Sequence, residues 1–367
     1  MYGTTPFGGS SDLGTVFKID DAGTFTSLHS FEYGSVGFNY LVGGSSASVT
    51  FVESDGTLYG ATGKTAFKID GAGTFTALPA FEDQSEVPPN TCIPPASTSG
   101  PVVRGSDGAL YGISTRHCES AVVSWYHSDT LYRIENSGAV TPLHTFSDTS
   151  WGGWSLVLGS DGALYGTTES GGSAGRGSVF RVDDAGDFTI LHSFNITDGM
   201  IPRALVLGSD GALYGTTTDG GSSNHGTIFR IDGTGDFNSL HSFSGNDGAV
   251  PYPDLVLGGD GALYGITNAG GSSDWGTVFR IDGAGTFTSL HSFNPTDGYD
   301  TDTSLVIGSD GAFYGTLGSG GPDGGGVVYR IPEPVQGAQL GASAVALALF
   351  MRLRRRRTSL RELREER

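Results

Sequence analysis

One unit of about fifty residues recurs along this chain, and the recurrence limits the fold more than any other feature. From Leu205 to Phe243 the sequence reads LVLGSDGALYGTTTDGGSSNHGTIFRIDGTGDFNSLHSF, and near copies fill the chain as far as Ile331. A chain of like units folds as an array, each unit burying against the next a face that it cannot bury alone. Within the unit, four short runs recur in order: LVLG, ALYGTT, TIFRID and FNSLHSF. They are rich in β-branched and aromatic residues and bounded by Gly, Asp and Ser, the composition of strands.

The links say how the strands are joined. Asp210-Gly211 separates the first two runs, with counterparts at Asp55, Asp107, Asp161, Asp260 and Asp310. This predicts a two-residue hairpin with both central residues at positive φ. Between the third and fourth runs a glycine is always third in the link, at Gly23, Gly73, Gly138, Gly186, Gly235 and Gly285, which fits a three-residue hairpin ending left-handed. A longer Gly/Ser loop such as Gly220-Gly221-Ser222-Ser223 joins the second and third runs. One repeat is therefore a four-stranded antiparallel meander.

The Tyr-Gly landmark falls at Tyr2, Tyr59, Tyr111, Tyr165, Tyr214, Tyr264 and Tyr314. Four strands per period of about fifty residues describe a propeller blade better than the shorter coils of a β-solenoid. The fold expected is all-β, a β-propeller of four-stranded antiparallel blades over residues 1–331, with seven blades, or six as the alternative. The first blade lacks its opening strand and the last its closing one. Either the ends complete one another as a clasp, or a segment precedes Met1; the chain enters the repeat in mid-register, which favours a sequence that begins late.

Glycine is abundant, at 61 residues, because turns need it at fixed positions. The formal net charge of −19 opposes binding to nucleic acid phosphates. Cys92 and Cys118 are the only cysteines, both in the one irregular repeat; a disulfide between them would suit an exported protein, and two separate thiols fit equally. Insertions in that repeat carry His117, Trp125, Tyr126 and His127, and Trp151 and Trp154 follow shortly after. Loop aromatics beside histidine suit a ligand platform, or the packing of a displaced loop onto the rim.

Chemical motifs are few. Gly171-Gly172-Ser173-Ala174-Gly175 matches a nucleophile elbow in letters only, because it lies between two strands rather than between a strand and a helix. Five histidines, His29, His144, His192, His241 and His291, share one repeat position in the last strand, where a hydrogen bond across to the neighbouring strand is expected. Asp297, Asp300 and Asp302 cluster at a spacing that can hold Ca²⁺ as a structural ion, although turn capping explains such aspartates as well. No other cofactor is indicated.

The consensus GSDGALYGTT, the GGS loop, GTVFRID and FTSLHSF together resemble the GloVer tandem repeat of bacterial choice-of-anchor proteins, over Met1 to Ile331. After Ile331 come Pro332-Glu333-Pro334, the apolar stretch Val335 to Met351 and an arginine cluster. This resembles a PEP-CTERM sorting signal, which implies a Gram-negative bacterium, export, a C-terminal transmembrane helix within 332–367, processing by an exosortase-type sorting enzyme and an address at the cell surface or extracellular matrix. The seventeen-residue stretch is short for a ~30 Å hydrocarbon layer, and ten residues follow the arginine cluster, where such signals normally end. The function expected is a non-enzymatic binding or scaffold module for an extracellular polymer or partner protein; the alternative is a propeller enzyme acting on extracellular polysaccharide.

Overall fold

The computed structural model describes residues 2–5, 9–11, 14–19, 24–32, 48–52, 55–61, 65–80, 97–98, 102–118, 126–135, 139–146, 155–298, 305–308, 310–320 and 326–332. Their strands form seven antiparallel sheets in chain order, the seven blades of a propeller. The fifth is representative: Met200–Leu207, Leu213–Asp219, Thr227–Ile231 and Phe237–Ser242 pair in sequence order, as the link chemistry predicts. Among the described residues the first sheet has three strands, without an opening one, and the seventh has three, without a closing one. The two remain separate sheets rather than sharing strands. No helix occurs among the described residues, and none there is long and apolar enough to cross a membrane. The helix expected between Val335 and Met351 lies outside them.

One turn differs from expectation. At Asp210-Gly211 only the glycine has positive φ, at 77°. Gly211 N donates to Gly208 O at 3.0 Å, and Gly208 N to Ala212 O at 2.8 Å, so the link is the three-residue Ser209-Asp210-Gly211. This is a type I turn closed by a left-handed glycine. It is preferred because Asp210 Oδ1 accepts from Ala212 N at 3.1 Å, a cap that leaves Asp210 in ordinary backbone space. The link between third and fourth strands follows expectation, with Gly235 at φ 91°.

Adjacent sheets meet through their first two strands. Met200–Leu207 packs on Ala249–Leu257, and Leu164–Thr168 on Met200–Leu207. Ser155 Oγ, just before the first strand of the fourth sheet, accepts from Leu205 N at 3.1 Å and donates to Leu205 O at 3.3 Å. First strands therefore lie innermost. Six buried apolar clusters join the sheets consecutively from first to seventh. The Tyr-Gly landmark has its reason here: Gly215 lies directly under the Phe229 ring of the paired strand, where a Cβ would collide with it.

The outer edge is closed by a clamp. His192 stacks on Phe237 of the next sheet with centroids 3.7 Å apart, and Phe194 meets Phe229 edge-on at 5.1 Å. The same stack joins His29 to Phe75, His144 to Phe188 and His241 to Phe287. The histidines thus engage the neighbouring sheet through ring faces. For His192, His241 and His291 the polar partner is the aspartate six residues on rather than the adjacent strand: His192 Nε2 lies 3.3 Å from Asp198, His241 Nε2 3.1 Å from Asp247 and His291 Nε2 3.0 Å from Asp297. Phe25 in the first sheet, the counterpart of these stacked phenylalanines, is 56% exposed. Val306 and Ile307 of the seventh sheet are likewise exposed, whereas Val206 and Leu207 are half-buried.

Candidate functional site

An antiparallel meander sends its first and third links to one end of the molecule, and its second links and the connections between sheets to the other. The two ends have different chemistry.

At the first end every regular sheet builds the same triad. Asp210 Oδ2 accepts from Tyr214 Oη at 3.0 Å and from Arg230 Nη2 at 2.9 Å. The set recurs as Asp107, Tyr111 and Arg133; Asp161, Tyr165 and Arg181; Asp260, Tyr264 and Arg280; and Asp310, Tyr314 and Arg330. For Asp210, partial burial works to raise the carboxyl, but hydrogen bonds from Arg230 and Ala212 N outweigh it and hold the group below its ordinary range. Burial raises the Tyr214 hydroxyl. Each aspartate thus caps a turn with one oxygen and anchors the next two strands with the other. Repetition in sheet after sheet marks this as architecture.

At the second end the repeat breaks down. The position after the second strand's Thr-Thr, or Ile-Thr in the sixth sheet, holds Glu169 in the fourth sheet, Thr218 in the fifth and Asn268 in the sixth. Arg203, on the innermost strand of the fifth sheet, lies 3.7 Å from Glu169 Oε1, and its Nε is 3.4 Å from Thr218 Oγ1. The corresponding stretch of the sixth sheet carries Tyr252 and Asp254, both half-buried, with one more residue than the fifth before Leu255 pairs with Gly265. Two β-branched residues enter these innermost strands with left-handed backbone, Ile201 at φ 57° and Val250 at φ 55°. Such a conformation is costly for β-branched side chains. It is held by Ile201 N donating to Arg176 O at 3.1 Å and Val250 N donating to His225 O at 3.0 Å. Strain and sequence irregularity therefore coincide at one mouth.

The irregular third sheet contributes to the same end. Its second and third strands, Leu110–Cys118 and Tyr126–Ile134, extend there as a long hairpin in which His117 pairs with His127 and Cys118 with Tyr126. Three of the expected ligand residues, His117, Tyr126 and His127, thus come together in register. Trp125, Trp151 and Trp154 lie outside the described residues, as do Cys92, Glu333, Pro334, Asp300 and Asp302. Pro332 ends the described chain beyond the last strand. Asp297 is committed to its own loop: it accepts from Asn294 N at 3.1 Å and Asn294 Nδ2 at 2.7 Å, beside His291. Asp247 does the same with Ser244, which favours turn capping over an ion site. Among the side chains described, no three His, Cys, Asp or Glu converge in a group fit for a metal.

The mouth residues Glu169, Arg203, Asp254 and Asn268 were not singled out from sequence. Their signal was present as polar departures from the repeat near the ends of its first and second strands.

Solved structures with similar sheet arrangements include a gluconolactonase from Xanthomonas campestris, 16% identical, over 73% of this chain and 85% of that one, with a TM-score of 0.41. A protein from Lactobacillus plantarum is 16% identical, over 79% and 96%, with a TM-score of 0.43. No curated protein matches this chain in sequence. The model of the Gloeobacter/Verrucomicrobia repeat matches residues 152–343, more than half of the 367. With the repeat, its strands and its turns all accounted for, the chain belongs to the Gloeobacter/Verrucomicrobia repeat family.

Proposed function

We propose that this propeller is an exported, surface-anchored binding module whose ligand-facing surface is the irregular mouth. The observation that carries the reading is the contrast between the ends: one is a ring of repeated, internally satisfied triads, while the other collects Glu169, Arg203, Thr218, Tyr252, Asp254 and Asn268. Packing does not require those unlike side chains, since the regular strands pack with other residues in their places. Carboxylates, a guanidinium, an amide and a tyrosine offer donors, acceptors and a flat ring, the means by which an extracellular polysaccharide is held. A partner protein is the second ligand class that such a surface fits.

Thermal unfolding of the chain against a panel of bacterial and plant polysaccharides tests the site. A bound polymer at a hundred times its dissociation constant adds ~2.7 kcal/mol, a visible rise in midpoint. Arg203→Ala is expected to abolish the rise while leaving the unliganded midpoint within a few degrees. A rise that survives Arg203→Ala would remove the mouth from consideration, and silence across the panel would sink the polysaccharide reading. Cleavage of a bound polymer, lost in Glu169→Gln, would turn the module into an enzyme.

Anchoring rests on Pro332-Glu333-Pro334, the apolar stretch after it and the arginine cluster. Deleting residues 332–367 is expected to move the protein from the membrane and surface fraction into the medium. An unchanged distribution on fractionation would count against the anchor.

A further inference from the structure

The third strands vary at one buried position, and the seventh sheet puts a hydroxyl there. The residue paired with the second-strand glycine is Phe17, Phe67, Phe180, Phe229 or Phe279 in five sheets and tyrosine in two, Tyr132 in the third and Tyr329 in the seventh. Phe180 and Phe229 carry their para carbons under Gly166 and Gly215, beside the first-strand carbonyls of Ser155 and Ala204. Tyr329 crosses under Gly315 in the same manner, so its hydroxyl extends past that glycine toward the innermost strand. Tyr132 is half-buried, whereas Tyr329 is only 4% exposed. Among the described residues none forms a hydrogen bond with Tyr329 Oη. A buried hydroxyl without a partner destabilises a fold, and phenylalanine in the same place carries no such penalty. Burial also raises the phenol above its ordinary range, so the group keeps its proton and stands as a donor.

The side chains around that donor depart from the repeat. Tyr329 belongs to the apolar cluster between the sixth and seventh sheets, and Tyr252 and Trp275, both half-buried, pack against the same cluster. Tyr252 comes from the lengthened innermost strand of the sixth sheet. Trp275 stands before the left-handed Gly276, where the fourth and fifth sheets have Arg176 and His225. Tyr264 and Ile266 lie in the cluster, so the exposed Asn268 falls on that face of its strand by alternation. Val256 packs on the cluster too, with Asp254 two residues earlier on the same strand. Two rings, a carboxylate, an amide and a buried phenol thus gather where the sixth sheet meets the seventh. The Arg203 guanidinium serves a different join, facing Glu169 of the fourth sheet.

We propose that Tyr252, Asp254, Asn268, Trp275 and Tyr329 form a subsite for one neutral pyranose unit. The inference rests on the reading of the mouth as a polysaccharide surface and names the kind of sugar taken there. A pyranose presents a C–H face that lies against aromatic rings, and hydroxyls that both donate and accept. The five side chains answer each requirement: rings from Tyr252 and Trp275, an acceptor from Asp254, both roles from Asn268 and a donor from Tyr329. A uronic acid would meet the Asp254 carboxylate with no cation among the five to offset it, on a chain of formal net charge −19. A sugar oxygen reaching Tyr329 Oη supplies an acceptor that no described residue provides.

Calorimetric titration of the full chain with cellobiose, maltose and lactose, set against digalacturonate and glucosamine, is the test. At least one neutral disaccharide is expected to bind, and neither charged sugar. Tyr329→Phe installs the residue of five other sheets, so its sugar-free unfolding midpoint should stay level or rise while affinity falls about tenfold, the loss of one hydrogen bond. Trp275→Ala should weaken binding at least as much. Tyr132→Phe, the same change in the third sheet, should bind as the parent does. Silence with all three neutral disaccharides, tighter binding of a charged sugar, or affinity unchanged in Tyr329→Phe would overturn the subsite. The broader reading fails separately. A polymer lost in Arg203→Ala but indifferent to Tyr329→Phe leaves the mouth standing and removes this subsite; a disaccharide weakened by Tyr329→Phe while every polymer is silent keeps the subsite and removes the polymer.

Discussion

Arg280 and Arg330 make the same contacts to an aspartate twenty residues upstream, at 2.7 Å and 2.8 Å, yet their surroundings differ. The Asp260 side chain is 8% exposed and that of Asp310 45%. Beside the Asp260 triad Phe313 stands where other copies have leucine and stacks on Tyr264 with centroids 4.0 Å apart, whereas no described sheet follows the one that carries Asp310. Burial works to raise the Asp260 carboxyl, and hydrogen bonds from Ala262 N and Arg280 bring it back below the ordinary range. Arg280→Met should therefore leave a largely desolvated carboxylate and cost roughly 1–3 kcal/mol. Arg330→Met removes a solvent-screened pair and should cost clearly less. Urea unfolding midpoints of the two variants compare them directly, and equal losses would show that solvent reaches both triads alike.

At the scale of the strand and turn, legibility followed distance along the chain. The meander and the left-handed Gly235 were readable because a turn states its requirements within five residues. The Ser209-Asp210-Gly211 link was misjudged because Asp-Gly suits more than one hairpin type, and only the cap from Asp210 to Ala212 N decides between them. The triads were within reach: Asp, Tyr and Arg recur at offsets of four and sixteen in every regular repeat, a constancy that β-periodicity alone does not demand. The His-Phe stacks were not readable, since His192 and Phe237 lie in different sheets and only packing brings them together. The mouth was obscured for the opposite reason, because attention to what repeats passes over Arg203 and Glu169. The register that pairs His117 with His127 was not legible, because it falls within an irregular insertion.

Across the whole molecule, the stacked histidines couple the joins between sheets to pH. Burial is the main influence on His29, His144, His192 and His241 and lowers all four, with Glu32, Asp198 and Asp247 opposing it at His29, His192 and His241. The folded state therefore takes up protons at lower pH than the unfolded chain. Their contribution is complete above the ordinary histidine value of ~6.5 and is lost as pH falls from there through the lowered folded values. The unfolding midpoint should be level between about pH 7 and 8 and decline below ~6.5, well before the carboxylates titrate. Replacing His192 and His241 together by glutamine should flatten that decline, and an unaltered slope in a pH series of melts would assign it to other groups. The clamps also set an order of events. Core clusters join each sheet to the next from the first to the seventh, and among the described residues none joins the seventh to the first. Phe25, Val306 and Ile307 stand exposed on those two sheets. In an array stabilised by nearest-neighbour contacts, opening starts where a unit has fewest neighbours. Thermal fraying therefore begins at the first and seventh sheets and reaches the fourth to sixth last, so that Glu169, Arg203 and Asn268 keep their arrangement after the margins of the propeller have loosened.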